Sequence, residues 1–346
     1  MKNAFFPVYK DDGYTILSLN SNQRNAVQVL VSKIRSGKYS FEENSCQCGA
    51  TSTHDDLIVT EKDMFGIPNV NLLCGNCGLI RSQKVLKENS LSNYYNIDYK
   101  PINYNLQDVG AKEYYESQKS RGKQFYELAN KYAKPQKGQH IYDMGCGAGG
   151  VMHYFNEAGM KCFGNDFSKE YLAYGNSQGM KLAYGDMQAN QDAEEDKFDF
   201  FILAHVYEHL VNPYQYLKEI FRKLRIGGIL IMEVPGVYAE SNLNNGYPLS
   251  GCQFAHVVNF YNQDFLTAMF EHFGTSVKYG DEHCTFIVQK TENTNFDSKF
   301  EYVPKDPQYL AKLKAHLALT SKKYKKITNP IYAKRKIAGI IKGKVY

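Results

Sequence analysis

The sequence contains no tryptophan and no apolar run approaching the roughly 20 residues that a membrane-spanning helix needs. Its start, MKNAFFPVYKDDGY, has too short an apolar stretch and no small-residue cleavage site, so it does not read as a secretion signal. No internal repeat is present. Acids are nearly missing from one region: residues 305–346 hold twelve Lys or Arg and a single acid, Asp306, although the whole chain has 41 Lys/Arg against 36 Asp/Glu and a net charge of only +5. These absences exclude a membrane-spanning or secreted class and leave a soluble protein with a mildly acidic body and a basic tail. The tail is expected to be a solvated helical extension; its charge also suits peripheral contact with anionic lipid, with nucleic acid the weaker partner.

What is present fits that class. The 346 residues, 43 % of them apolar, suffice for one full core with a smaller module beside it. Twenty-eight Tyr and twenty Phe supply aromatic surface much of which carries a hydroxyl, suited to polar ligands such as sugars or to half-buried packing. Eight cysteines without a secretion signal point to thiols or metal ligands in a reducing compartment, the cytoplasm.

Along the chain five segments are expected. Residues 1–45 hold an amphipathic helix over 20–36, capped by Asn20 or Ser21 and ended by Gly37. Residues 46–92 place CQCG and CGNCG around a hairpin-like stretch, so that Cys46, Cys48, Cys74 and Cys77 offer four thiolates for a closed tetrahedral zinc site in a ribbon-like module. A Tyr-rich helical connector spans 93–134 and serves as a substrate cap. Residues 135–292 alternate strands and helices, the pattern of a parallel sheet covered on both faces, and end in an antiparallel pair, TSVKYG and TFIVQK. Residues 293–346 form the basic extension.

The chemistry concentrates in two places. YDMGCGAGG follows a predicted strand and opens a helix, and Gly145, Gly147 and Gly149 let the backbone come close to a ligand. Read as Gly145, Gly147 and Gly150, with Asp166 ending the next strand, the loop also fits a dinucleotide fingerprint. Asp143 suits an ammonium group better than a pyrophosphate, and Asp186, with Met187 as apolar cover, is placed to meet an adenine amino group. The second place is HVYEH, where His205, Glu208 and His209 at helical spacing share one face beside the end of the apolar strand FDFFIL. It matches a zinc-protease pattern literally, but that motif needs a long active-site helix and a distant third ligand, whereas this one directly follows a buried strand.

The DxGxGxG order, the acidic end of the second strand and the later Gly-Asp resemble class I S-adenosylmethionine-dependent methyltransferases. That family has a Rossmann-like α/β fold with a seven-stranded sheet whose last strand is antiparallel. The resemblance implies that Gly145, Gly147 and Gly149 line the methionine moiety, with Asp143 on its amino group, Asp166 on the ribose and Asp186 with Met187 at the adenine. CQCG, CGNCGLI and NYYNIDYKP resemble the N-terminal zinc-binding domain of methyltransferases that act on sugars in bacterial polysaccharide and antibiotic pathways. Those proteins have two CxxC pairs; here Ser45 stands where one outer cysteine is expected, and His54 is an alternative ligand.

Sugar C-methyltransferases of that kind carry a Glu-His pair matching Glu208 and His209, but also a further C-terminal domain of substantial length, which the largely basic residues after Lys290 are not expected to form. O-methyltransferases of the ubiquinone-biosynthesis and small-RNA-end type use Glu-x-x-Glu-His to hold a divalent metal. His205 occupies the first position here, which favours zinc, iron or manganese over magnesium. His256 resembles a histidine that such enzymes place across the same pocket. The expected function is methyl transfer from S-adenosylmethionine to a sugar hydroxyl, on a nucleotide-sugar or a surface glycan. In it, His209 accepts the proton, Glu208 holds His209, and Tyr94, Tyr95, Tyr99 and Tyr104 close over the sugar. C-methylation of a keto-sugar and a non-catalytic scaffold are the alternatives.

Overall fold

The computed structural model describes residues 5–50, 55–103, 110–187, 195–242 and 247–337, with the side chains of the last helix described as far as Lys325. The chain forms two compact units. Met1–Asp108, Pro235–Phe265 and Glu301–Tyr346 make the first; Val109–Val234 and Leu266–Phe300 make the second. The boundaries of these units cut through three of the five segments read from the sequence, 93–134, 135–292 and 293–346.

Unit one opens with helix α1, Ser21–Arg35. Asn20 caps it by accepting the Gln23 amide, while the Gln23 side chain accepts the Asn20 amide, and Val27, Leu30 and Val31 face inward. Strands β1 (Phe41–Glu43), β2 (Leu57–Lys62), β3 (Pro68–Leu73), β4 (Ile80–Ser82) and β5 (Lys84–Leu86) follow. β2 and β3 make the expected hairpin, β4 extends it antiparallel, and β1 pairs with β5. Helix α2 (Glu88–Asn93), a π-helical turn over Tyr94–Tyr99 and α3 (Lys100–Asn103) complete this stretch.

Unit two begins with α4 (Ala111–Tyr132), as expected from its periodicity. It continues through β6 (His140–Met144), α5 (His153–Glu157), β7 (Lys161–Asp166), α6 (Lys169–Ser177), β8 (Lys181–Tyr184), β9 (Phe198–Ala204), α7 (Pro213–Lys223) and β10 (Leu224–Glu233). Unit one then receives α8 (Val237–Ser241) and β11 (Asn259–Phe260), which pairs with β4. After α9 (Gln263–His272), β12 (Ser276–Gly280) and β13 (Thr285–Gln289) finish the sheet of unit two.

That sheet has the order β12-β13-β10-β9-β6-β7-β8, with β13 antiparallel to both neighbours and the remaining pairs parallel. It is the mixed seven-stranded α/β sheet that the family resemblance implied. On one face Ile141, Ile202, Ile231 and Ile287 pack against Phe125 of α4, Phe155 of α5 and Leu172 of α6. From the opposite parity, Phe286 meets Phe270 of α9, which in turn meets Phe221 of α7. Burying both faces explains why these strands read as apolar runs.

The tail departs from the expected solvated extension. Helix α10 (Tyr309–Ile337) buries Tyr309, Leu313 and Leu317 in one cluster with Phe6, Tyr9 and Val59 of unit one. These positions are four residues apart, an apolar stripe between the lysines that the reading by charge passed over. Ser321 Oγ donates to the Phe5 carbonyl, and Ser241 Oγ lies 2.9 Å from His316 Nε2. Among the described residues no helix is long and apolar enough to cross a membrane. Leu313→Ala should cost about 2–5 kcal/mol in chemical denaturation, whereas in a solvated extension it would change almost nothing.

Candidate functional site

The glycine loop leaves the carboxyl end of β6 in unit two. Gly145 and Cys146 both donate to the Asn165 carbonyl at 3.0 Å, and the Gly147 amide donates to Asp166 Oδ2 at 3.0 Å. Gly145 and Gly147 have φ of 74° and 53°, the left-handed region. A Cβ on Gly145 would stand 2.7 Å from Val206 Cγ2, and one on Gly147 only 2.5 Å from the Tyr114 ring, so close approach requires glycine at both. Asp166 is fixed from its other oxygen by the Ser168 amide at 2.8 Å.

Beside the loop is a cavity of about 270 Å³ whose walls include Tyr114, Gln118, Arg121, Asp143, Gly145 and His205. Asp143 is buried; burial, and next the charge of Asp166, push its carboxyl well above the usual range, and Arg121 opposes this. Gly149 turns the loop into the short helical turn at Gly150–Met152. Asp186 follows β8 and is exposed, while Met187 beside it is buried.

HVYEH is not on a helix. The segment leaves β9 through His205, in the left-handed region at φ 54°, and makes one 3-10 turn over Tyr207–His209 before α7 starts at Pro213. The expected shared helical face is therefore absent. The His205 amide donates to the Glu233 carbonyl at 2.8 Å. Its Nδ1 lies 3.2 Å from Glu208 Oε1 and its Nε2 lies 3.1 Å from Glu233 Oε1. Glu208 is buried, with its Oε1 3.8 Å from His209 Nε2 and its Oε2 without a hydrogen-bond partner among the described residues. Glu208 thus contacts His205 more closely than His209. Burial alone would lower the His205 pKa, but hydrogen bonds to Glu208 and Glu233 outweigh it and raise it to about 9. Burial likewise works to raise Glu233, yet His205 and Arg121 hold it below its ordinary value.

The divalent metal expected at His205, Glu208 and His209 does not fit this arrangement. Both ring nitrogens of His205 already face carboxylates. Among the described residues the four cysteines alone bring three or more potential ligand atoms within 4.8 Å of one another.

Those cysteines lie in unit one, on the turn joining β3 to β4 and on the loop after β1. Cys46 and Cys77 sulfurs are 3.5 Å apart, Cys48 and Cys74 sulfurs 3.7 Å. Tetrahedral zinc with bonds of about 2.3 Å would space its sulfurs by about 3.8 Å, so the thiols fit one ion. The Asn76 amide and side chain point to Cys74 Sγ (3.4 Å) and Cys48 Sγ (3.6 Å). Hydrogen bonding with Cys46 pulls the Cys48 and Cys74 thiols down, Cys74 to about 6, and burial pushes Cys77 up. His54 lies outside the described residues.

His256 and three of the four tyrosines also meet within unit one. Tyr95 Oη is 3.1 Å from His256 Nδ1 and Tyr99 Oη is 3.5 Å from Nε2. Tyr94 instead donates to the Phe254 carbonyl and is buried. The loop carrying His256 is anchored by Asp63, whose carboxylate accepts the amides of Phe65, Ile67 and Phe254 at 2.8–3.0 Å. Tyr104 lies outside the described residues.

Four residues of unit two escaped the sequence reading. Tyr114 and Arg121 line the cavity from α4, and Glu233 ends β10. Phe167, directly after Asp166, is 70 % exposed and edge-on to Tyr184 at 6.0 Å. A carboxylate ending an apolar strand was the available signal for Glu233; nothing local marks Arg121.

Residues 142–232 match the family described as a methyltransferase domain. The chain is 30 % identical over 104 residues to the ubiquinone biosynthesis O-methyltransferase of Maricaulis maris (strain MCS10), covering 28 % of this chain and 41 % of that one. It is 31 % identical over 97 residues to the enzyme of the same name from Aeromonas salmonicida (strain A449), covering 26 % and 41 %. The chain therefore spans less than half the length of these curated relatives. Among solved structures it is similar to the PH0226 protein of Pyrococcus horikoshii OT3, with 18 % identity, TM-score 0.42, and 58 % of this chain and 99 % of that one covered. It is also similar to an S-adenosylmethionine-dependent methyltransferase from Mesorhizobium loti, with 13 % identity, TM-score 0.38, and coverage of 47 % and 95 %.

The folded pKa of His205 is raised from 6.5 to about 9, so its stabilising contribution is complete below about pH 6.5 and is lost as pH rises through about 9. The stability gap between the parent and His205→Gln, measured by urea unfolding across pH, should close over that window.

Proposed function

We propose that this protein is an S-adenosylmethionine-dependent O-methyltransferase whose donor binds in the cavity of unit two. The observation that carries the reading is that Asp143 and Arg121 both line that cavity beside a glycine loop. Opposite charges on the wall of one small cavity complement the zwitterionic amino-acid head of this donor, and they do not match the pyrophosphate of a dinucleotide. The methyltransferase match over residues 142–232 and the two O-methyltransferase relatives support the same reading.

Asp143 would hold the donor's ammonium, Asp166 its ribose, and Asp186 with Met187 its adenine, with Phe167 and Tyr184 as aromatic cover. When bound, S-adenosylmethionine supplies a methyl group on a sulfonium, ready for in-line attack. The chain's task is then to place the acceptor hydroxyl and take its proton. His205 is paired to two carboxylates and stays charged, so it is a poor base. His209, with Glu208 near its Nε2, is the group we assign to accept the proton.

For the acceptor we propose a sugar hydroxyl on a nucleotide-sugar or glycan. Tyr95, Tyr99 and His256 form a cluster of hydroxyl and imidazole groups of the kind that hydrogen-bonds such molecules. The names of the two relatives favour a second reading, a hydroxyl of a ubiquinone precursor. We further propose that Cys46, Cys48, Cys74 and Cys77 hold one structural zinc, supported by sulfur spacings close to those of a tetrahedral site.

Calorimetry should give heat with S-adenosylhomocysteine and none with NAD; the reverse result overturns the donor assignment. Incubation with nucleotide-sugars, glycan intermediates and ubiquinone precursors should add the mass of one methylene to the true acceptor. In that assay His209→Ala should lose on the order of 10²- to 10⁴-fold in turnover with donor affinity unchanged. Purified protein should contain one zinc per chain, and Cys74→Ser should lower both zinc content and melting temperature, because structural zinc binding is coupled to folding. If the parent as purified contains no zinc and Cys74→Ser melts at the same temperature as the parent, the four residues are ordinary thiols.

A further inference from the structure

We propose that Glu233 is a positioning residue that aims Arg121 at the carboxylate of the donor's amino-acid head, an inference that rests on the S-adenosylmethionine reading above. Glu233 ends β10 and its side chain is mostly buried, at 18 % exposure. Its carboxylate accepts three donors from three elements: Arg121 Nε of α4 at 2.8 Å, His205 Nε2 after β9 at 3.1 Å, and Thr285 Oγ1 of β13 at 3.2 Å.

The other members of the chain hold Glu233 in turn. His205 is tied on its far nitrogen to buried Glu208, and its amide is bound to the Glu233 carbonyl, so the left-handed turn at His205 is over-determined. Glu208, His205, Glu233 and Arg121 therefore alternate in charge along one hydrogen-bonded line. The HVYEH motif sits at its far end from the guanidinium. Read this way, Glu208 and His205 brace the residue that orients Arg121.

Arg121 needs such orientation because Asp143 lines the same cavity. A guanidinium released from Glu233 is free to swing onto Asp143 and form an internal ion pair. That pair would consume both the cation meant for the donor's carboxylate and the anion meant for its ammonium. With Nε fixed by Glu233 and Nη1 donating to Gln118 Oε1 at 2.9 Å, the plane of the guanidinium is set, and Nη2 has no partner among the described residues. The two halves of the zwitterion site are thereby kept apart and available.

The test compares two ligands that share adenosine and a thioether and differ in the amino-acid head: S-adenosylhomocysteine and 5′-methylthioadenosine. Calorimetry on the full chain should show Glu233→Gln binding S-adenosylhomocysteine about tenfold more weakly, the weight of one charge-assisted contact, with 5′-methylthioadenosine affinity within twofold of the parent. Arg121→Gln should give the same split, and the double variant should lose little more than either alone, because both act through one contact. Equal weakening for both ligands in Glu233→Gln, or no change for either, overturns the proposal. If the parent binds neither ligand, the donor reading itself has failed and the role of Glu233 falls with it.

Discussion

The parallel register of five strands is the constraint on which the chemistry of unit two depends. β10, β9, β6, β7 and β8 run the same way and end near one level, with Glu233 opposite Ala204, Met144 opposite Asn165 and Asp166 opposite Tyr184. Side chains far apart in sequence thus emerge side by side at the carboxyl edge: Asp143, Asp166, His205 and Glu233. In open sheets of this kind ligands bind outside that edge, where loops leave without crossing the core. A one-residue slip of β10 against β9, or of β7 against β8, would turn Glu233 or Asp166 to the other face.

Much of this was legible in the sequence because it is local. The glycine loop, the acid closing β7 and the alternating apolar runs each announce themselves within ten residues, and the antiparallel end of the sheet could be read from TSVKYG and TFIVQK. HVYEH misled for an equally local reason. Spacing of three and four suggests a helix, but His205 takes a left-handed conformation at the strand end and turns the chain. The contacts that give the motif its surroundings, His205 and Arg121 with Glu233, span 28 and 112 residues. No window along the chain contains both partners.

Unit one was harder to read because it is discontinuous. Its four-stranded sheet takes an edge strand from Asn259–Phe260, and the cysteine loops are held from later in the chain. Asn262 donates to the Cys77 carbonyl and the Tyr302 amide to that of Cys48. Composition marked residues 305–346 as a basic tail, yet a stripe of three apolar side chains was enough to draw its first turns into a core. Lysines on the rest of a helix do not prevent this, since burial needs only one face.

The late arrival of β11 has a consequence for how the chain is made. While β2, β3 and β4 leave the ribosome early, the free edge of β4 has no partner until Asn259 and Phe260 are synthesised. At 5–20 residues per second that interval is roughly 10–35 s, during which this edge of β4 stays unpaired. The nascent protein is therefore most open to strand-edge aggregation while unit two is being translated, and a cell that slows elongation over residues 110–258 lengthens that exposure.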